Sequence, residues 1–221
     1  MFVINRGKNI FESKIIYLSF RLNLNHAVIL LSPSSTRRIY DTMISRIVRR
    51  QVACMAEFRW VDAPVPAGMK ITQVYAVTLD RDGRVMLRVE KTPDGRTRYS
   101  LAGGRPEPFD SGMEDTCRRE LLEEVNTEIE TPVYIGYQQV DEEDGTPAYA
   151  QIRMAALIRK IGIRKPDPDN GRIYDRLMVS AERAAELLDW GDVGTAQVMK
   201  ARDIICQKYG IRDTGKPEEW V

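Results

Sequence analysis

Three glutamates near the middle of the chain are the residues best suited to chemistry. Glu120, Glu123 and Glu124 are three and four residues apart, so on an α-helix their carboxylates rise from neighbouring turns of one side. Like charges in this arrangement repel each other and destabilise an isolated helix. Because hard divalent cations prefer oxygen ligands, the spacing indicates a cation site. The alternative is a solvated helix face with ion pairs, since Glu and Arg are common on surface helices.

The element that must position these glutamates is a helix predicted over residues 112–125. Ser111 and Glu114 have the spacing of a capping box at its start. Asn126 follows its last apolar residue, where a left-handed C-terminal cap suits Gly or Asn. The apolar stripe that would face a core is formed by Cys117, Leu121 and Val125, with Leu122 beside them. The three glutamates lie mainly off that stripe.

The segment around this helix resembles the Nudix box. That pattern reads Gly, five residues, Glu, seven residues, Arg-Glu-hydrophobic-x-Glu-Glu-x-Gly-hydrophobic. Gly104, in the run Leu101-Ala102-Gly103-Gly104, matches the first glycine. The core of the pattern is matched by Arg119, Glu120, Leu121, Glu123 and Glu124.

The resemblance implies a hydrolase that binds Mg²⁺ or Mn²⁺ on a loop–helix–loop. Such an enzyme cleaves a pyrophosphate that is linked to a nucleoside or another group. The resemblance makes Glu120, Glu123 and Glu124 the metal ligands, with the Gly103 carbonyl as an additional one. Glu123 and Glu120 would also be catalytic, and Arg119 would orient a glutamate by ion pairing.

The sequence departs from the pattern at three places. One extra residue lies between Gly104 and Arg119, where a loop would tolerate it. The first box glutamate has no clear equivalent, because counting from Gly104 reaches Asp110 and counting back from Arg119 reaches Ser111. Asn126 and Thr127 replace the box glycine and the hydrophobic residue after it. These departures motivate the competing hypothesis of a non-catalytic Nudix-fold module that binds a nucleotide or regulates a partner.

Segments of alternating, β-forming residues surround the predicted helix. A turn at residues 81–83 indicates a hairpin between the first two strands. An acidic loop at 141–145 joins two later strands. The predicted strands cover residues 71–80, 84–90, 98–101, 129–140, 149–158 and 173–179, and helices are predicted from Ser180 and over 194–208. The apolar positions of the last helix include Ala196, Met199, Ile204 and Cys206. This order predicts an α/β fold, a Nudix-like α/β/α sandwich with a mixed β-sheet. The resemblance covers roughly residues 70–209.

Candidate groups for substrate binding and for proton transfer lie on these elements. Arg88, Arg98 and Arg153 alternate with apolar residues on predicted strands, where they could clamp phosphate. A carboxylate of the helix or of a remote loop would serve as general base. Asp167 and Asp169 are the remote candidates, and a simple turn is the alternative reading of their loop.

Composition restricts the class of protein. With 43% hydrophobic and 29% charged residues, the 221-residue chain can build an ordinary core. Three scattered cysteines are too few for a disulfide framework and suit a reducing cytoplasm. The one histidine, His26, lies outside the predicted domain, which argues against His-dependent catalysis there. We therefore expect a cytoplasmic enzyme acting on a small nucleotide-type molecule, and a homodimer is left open.

Charge divides the chain into two parts. Residues 1–56 have a net charge of +7, whereas residues 57–221 have a net charge of −6. The acidic part argues against nucleic-acid binding. The apolar stretch in the first part is interrupted by polar residues, so no membrane span or signal peptide is expected. We predict a poorly ordered basic extension over 1–56 and a Nudix-like domain over 57–221. A basic arm for an acidic partner or a membrane surface is the alternative for the extension.

Overall fold

The computed structural model describes residues 56–142 and 144–221. The predictions for the basic extension, residues 1–56, therefore lie almost entirely outside the described residues. Within the described residues, no helix is long and apolar enough to span a membrane.

Ten strands and three helices make up the part of the chain that the structure describes. The strands are β1 (Glu57–Val61), β2 (Ile71–Leu79), β3 (Val85–Lys91), β4 (Thr97–Ser100), β5 (Ala102–Gly104), β6 (Thr127–Ile129), β7 (Val133–Asp141), β8 (Tyr149–Ile161), β9 (Asp175–Val179) and β10 (Glu219–Trp220). The helices are α1 (Met113–Val125), α2 (Ala181–Leu188) and α3 (Gly191–Tyr209).

The strands form a mixed sheet in the order β1-β7-β8-β2-β3-β9-β10. Strand β4 pairs with β3, β5 pairs with β2, and β6 pairs with β8. Strands β2 and β8 run parallel along Ile71–Leu79 and Ala150–Leu157. Their neighbours pair antiparallel. The connection from β2 to β8 contains α1, as a parallel pair requires a long crossover.

Helices cover both faces of this sheet because successive residues of a strand point to opposite sides. On one side, Val74 and Ala76 of β2 pack in a core with the apolar stripe of α1, which is Cys117, Leu121 and Val125. On the other side, Val77 and Leu79 pack in a second core with α2 and α3, through Ala181, Ala184, Leu188, Val198, Ala201 and Ile205. Leu122, predicted beside this stripe, is instead 45% exposed, because it lies one residue further round the helix than Leu121. The predicted α/β/α sandwich with a mixed sheet is confirmed.

Local predictions for turns and helix ends are confirmed in most places. Strands β2 and β3 pair antiparallel across the predicted turn, where Gly83 has φ +82. Asn126 ends α1 in the left-handed conformation with φ 43, and its N–H donates to the carbonyl of Leu121. Ser180 caps α2, since its hydroxyl accepts a hydrogen bond from the N–H of Arg183 at 3.1 Å.

The predicted capping box at the start of α1 is wrong. The N-cap residue is Gly112, and no side chain caps this helix end. Ser111 instead donates to the Asp115 carboxylate, from its N–H at 3.2 Å and also from its hydroxyl. Glu114 is exposed. The Ser111 hydroxyl therefore binds the Asp115 carboxylate, one turn into the helix, instead of a backbone N–H at the helix start.

The predicted apolar positions of the last helix are confirmed only in part, because Met199, Ile204 and Cys206 pack against the second core whereas Ala196 does not. The buried residues of α3 are Gly194, Gln197, Val198, Ala201 and Ile205, whereas Ala196 is exposed and Met199, Ile204 and Cys206 are only half-buried. Two positions explain the difference. A side chain at Gly194 would collide with Trp190, and Gln197 is buried because it binds Arg153.

The sequence pattern did not predict the two edge strands β1 and β10. Strand β1 pairs with β7, and β10 pairs with β9. Strand β10 is held by buried Arg84, which donates to the carbonyl of Pro217 at 2.9 Å and to Glu219 at 3.0 Å. Arg84 also binds Asp80 at 2.9 Å. Such short strands depend on tertiary partners rather than on their own β-propensity.

Candidate active site

Helix α1 carries the candidate glutamates along the flank of its buried stripe. Glu120 and Glu124 are buried at 7% and 9% exposure. Glu123 is half-buried. The double glycine at the end of β5 lies beside this flank. The helix and the glycine turn therefore form one structural unit, as the sequence predicted.

Arg119 connects the carboxylates of this unit. Its Nη1 donates to Glu120 Oε1 at 2.9 Å and to Glu123 Oε2 at 2.8 Å. Its Nη2 donates to the carbonyl of Arg105 at 2.8 Å. Nε and Nη2 bind the two oxygens of Asp110 at 3.1 and 3.0 Å. These bonds, led by those to Asp110, raise the pKa of Arg119.

Asp110 takes the position in this network for which the sequence offered no clear glutamate. Its carboxylate also accepts from the Thr116 hydroxyl at 2.8 Å and from the Glu107 N–H at 2.9 Å. The hydrogen bonds from Arg119 lower the pKa of Asp110 well below its usual range. Counting from Gly104 identifies this acid, and the extra residue then lies between Asp110 and Arg119.

The Glu120 carboxylate lies directly against Gly104. A Cβ at Gly104 would collide with the carboxylate carbon and oxygens of Glu120. Only glycine leaves room for this approach. Burial raises the pKa of Glu120, Arg119 opposes that shift, and the negative charges of Glu123 and Asp169 add to it.

Glu124 is held from two sides. Its Oε2 accepts from the N–H of Gly103 at 2.8 Å, and its Oε1 forms an ion pair with Arg88. Gly103 has φ +149, and a Cβ there would meet the carbonyl of Val74 and the backbone of Tyr75. The structure thus places the Gly103 N–H in the site, and a role for its carbonyl as metal ligand stays a prediction.

The three arginines predicted to bind substrate lie in different environments. Arg88 pairs with Glu124, donates from Nε to the Ser100 hydroxyl at 3.0 Å and lies 4.5 Å above the ring of Tyr174. Arg98 is exposed on β4. Arg153 is buried on the opposite side of the sheet, where it binds Gln197 of α3. The structure therefore brings only Arg88 into contact with the helix glutamates.

Asp167 and Asp169 lie in one loop but in different environments. Asp167 is buried, and its carboxylate accepts from the N–H of Asp169 at 2.8 Å and of Asn170 at 3.3 Å. It therefore shapes the turn. Asp169 is exposed, and its charge acts on Glu120. Asn170 donates to the hydroxyl of Tyr174 at 3.0 Å, which links the loop to the residue beneath Arg88.

The carboxylates of α1 supply suitable donors for a divalent cation, although they do not converge as they stand. Among residues 56–142 and 144–221, no three Asp, Glu, Cys or His side chains are arranged to hold one metal ion, because Arg119 and Arg88 bind the glutamates. The donor set is nevertheless all oxygen, as Mg²⁺ requires. Glu120 also occupies a space beside Gly104 that any other residue would fill.

Comparison with known proteins agrees with this geometry. The sequence profile of the NUDIX domain matches residues 69–200, which is more than half of the chain. No curated protein matches the chain at a significant level. A mutant of the Bacillus subtilis pyrophosphohydrolase BsRppH is similar with a TM-score of 0.52 at 14% identity, covering 70% of this chain and 93% of that one. A NUDIX hydrolase from Nitrosomonas europaea has a TM-score of 0.45 at 20% identity, with 61% and 90% covered.

Proposed function

The chain belongs to the Nudix family of hydrolases, and from that premise we propose that it is a Mg²⁺-dependent pyrophosphohydrolase. Its substrate is a nucleoside diphosphate linked to another moiety, or a nucleoside triphosphate. The observation that carries the proposal is the network in which Arg119 binds Asp110, Glu120 and Glu123 beside the double glycine.

Glu120, Glu123 and Glu124 are the residues that would hold the metal. When bound, Mg²⁺ (or Mn²⁺) would neutralise the pyrophosphate oxygens and lower the pKa of a water molecule. Arg119 orients Glu120 and Glu123 through the two hydrogen bonds of its Nη1. Gly103 orients Glu124 through its backbone N–H. These contacts keep the carboxylates on the side of α1 that faces the turn.

The proton of the attacking water needs a carboxylate base. Glu120 is one candidate, since burial raises its pKa toward the range in which a base works best. Asp169 is the remote candidate, because it is exposed and its charge reaches Glu120. Asp167 is the weaker of the two loop acids, as its oxygens are used by the turn.

Substitution of Glu123 tests this function. Glu123→Gln should abolish metal-dependent hydrolysis and leave the circular dichroism spectrum unchanged. Glu114→Gln is the matched control, because Glu114 is exposed on the same helix and lies about 180° around the helix axis from Glu123. The substrate panel is a nucleoside triphosphate, ADP-ribose, a dinucleoside polyphosphate and coenzyme A, each with and without Mg²⁺. Equal turnover by Glu123→Gln and the parent chain would overturn the assignment.

A non-catalytic Nudix-fold module is the competing hypothesis, and the position of Asp110 weakens one of the arguments for it. It was motivated by the missing first glutamate of the box. Asp110 now supplies a carboxylate that binds the Arg119 guanidinium through two hydrogen bonds. A chain that binds nucleotides but releases no product with Mg²⁺ or Mn²⁺ would favour the module.

We further propose a cytoplasmic location. Cys117 and Cys206 are free thiols. Burial raises the pKa of Cys117 to about 12, so this thiol stays neutral and packs as an apolar residue. Free buried cysteines suit a reducing compartment.

A further inference from the structure

Arg153 is a buried cation that has no carboxylate partner in the part of the chain the structure describes. It is 3% exposed in the middle of β8. Its Nη2 donates to the side-chain oxygen of Gln138 at 2.8 Å, and its Nε donates to that of Gln197 at 2.9 Å. Burial lowers its pKa to about 10. A buried charge without a counter-ion destabilises a fold strongly, so its presence needs a reason.

Gln197, which binds Arg153, also has an unsatisfied hydrogen-bond donor. It is 1% exposed, and its side-chain nitrogen has no hydrogen-bond partner. An orphan buried donor destabilises the fold, because the group has lost its hydrogen bonds to water and gained none in return. The Nη1 of Arg153 is also poorly used, because it reaches only the carbonyls of Gln151 and Ile152, at 3.4 and 3.3 Å. Two adjacent donor groups are therefore available to an acceptor.

Two aromatic rings cover the guanidinium. Tyr75 lies 4.8 Å from it and Trp190 lies 5.4 Å from it, each measured to the ring centroid. Trp190 is 37% exposed, so this ring separates Arg153 from solvent. It lies in the short connection between α2 and α3, between Asp189 with φ 53 and Gly191 with φ 63. Trp190 is the more exposed of the two rings, so a ligand would approach Arg153 past this side chain.

We propose that Arg153 and Gln197 bind a phosphate group of the substrate that is distinct from the pyrophosphate being cleaved. This inference rests on the proposed function for its choice of substrate. A phosphate supplies the negative charge that Arg153 lacks and several oxygens for its free donors. A neutral acceptor such as an amide would satisfy Gln197 but would leave the charge of Arg153 uncompensated.

Tyr75 contacts both Arg153 and the glycine turn beside the carboxylates of α1. The centroid of its ring lies 4.8 Å from the Arg153 guanidinium. A Cβ at Gly103 would meet the Tyr75 ring at 2.9 Å, and the N–H of Gly103 binds Glu124. Although Arg153 lies on the other side of the sheet, one ring and one backbone segment therefore separate it from these carboxylates. An extended substrate would place its pyrophosphate at α1 and its second phosphate at Arg153.

Binding of two matched pairs of compounds tests the proposal. NADPH and coenzyme A each carry one phosphate, remote from their pyrophosphate, that NADH and 3′-dephospho-coenzyme A lack. Calorimetric titration would use the full chain carrying Glu123→Gln, which removes turnover from the measurement. We expect at least about tenfold tighter binding of the phosphorylated member of a pair, as one charge-assisted contact predicts. Equal binding within both pairs would overturn the proposal.

Three further variants in the same background separate binding from folding. Arg153→Gln should remove the preference for the phosphorylated member, whereas Arg81→Gln, an exposed arginine of the β2–β3 turn, should keep it. If Arg153→Gln fails to fold, Gln197→Glu replaces it. Gln197→Glu keeps the oxygen that accepts from Arg153 Nε, removes the orphan donor and supplies the missing counter-ion, so it should remove the preference without lowering the melting temperature. A preference unchanged in Gln197→Glu or Arg153→Gln would contradict the site. If the parent chain hydrolyses none of the compounds, the proposed function is contradicted, whereas the phosphate site is tested by the binding preference alone.

Discussion

Arg119 binds the Asp110 carboxylate through two hydrogen bonds, from Nε to Oδ1 at 3.1 Å and from Nη2 to Oδ2 at 3.0 Å. The same guanidinium uses its remaining nitrogen for Glu120 and Glu123. A guanidinium held by a fork at one side has a fixed plane, so Asp110 determines the direction in which Arg119 presents its Nη1. Asp110 is therefore a positioning residue for the glutamates.

Asp110→Asn should lower kcat at least about tenfold and destabilise the chain by about 1–3 kcal/mol. The amide can accept only one of the two hydrogen bonds from Arg119, and its NH₂ group faces a donor. Steady-state kinetics and urea unfolding measure the two effects. Asp115→Asn is the control, because Asp115 contacts Ser111 but not Arg119. A variant with full kcat would show that Arg119 keeps its position without Asp110.

Acid should remove the stabilisation that Asp110 provides. Arg119 lowers the pKa of Asp110 in the folded chain, whereas the unfolded value is about 3.9. The unfolded state therefore binds more protons below about pH 4, and the free energy of unfolding falls as pH decreases toward the folded-state pKa. Urea unfolding of the parent chain and of Asp110→Asn should differ most above pH 5 and converge in stronger acid. A difference that stays constant with pH would contradict this ion pair.

Gly104→Ala should inactivate the enzyme, because its Cβ would collide with the Glu120 carboxylate. Glu120 would have to turn away from the double glycine and from Arg119, and we expect kcat to fall at least about a hundredfold. Gly112→Ala is the matched control. A Cβ at Gly112 meets no atom within 4 Å, and its φ of 164 is extended backbone. The measurement is the kcat of both variants at saturating Mg²⁺. Full activity of Gly104→Ala would mean that catalysis does not need the Glu120 carboxylate to lie against residue 104.

The sequence predicted those parts of the molecule that local patterns determine. The spacing of Cys117, Leu121 and Val125 predicted the buried side of α1, the predicted bounds 112–125 were right to within a residue, and Asn126 ended the helix as expected. The Ser111 capping box was wrong, since Asp115 competes for the same hydroxyl. Edge strands β1 and β10 have little pattern of their own, so only their tertiary partners reveal them.

The Nudix resemblance implied that Arg119 pairs with a glutamate, and the structure shows that pairing. The carboxylates of α1 followed from helical spacing. The pairing of Arg88 with Glu124 did not, because it joins residues 36 positions apart. Arg153 shows the same limit, since alternation on a strand gives the face of a side chain but not what covers that face. Its burial depends on Trp190 and Gln197, which lie on another element.

Arg88 and Glu124 should be strongly coupled in the metal-free protein. Their side chains are 15% and 9% exposed, so removing either partner leaves a buried charge, at a cost of about 3 kcal/mol. Arg88→Gln and Glu124→Gln should each lower the free energy of unfolding in EDTA, and the double variant should lose less than the sum by about 1 kcal/mol or more. The exposed pair Arg96 and Asp94, at 82% and 52%, is the control and should show no measurable coupling. Additive losses for Arg88 and Glu124 would mean that Glu124 is held by Gly103 alone, and Arg88 would then be free to bind substrate phosphate.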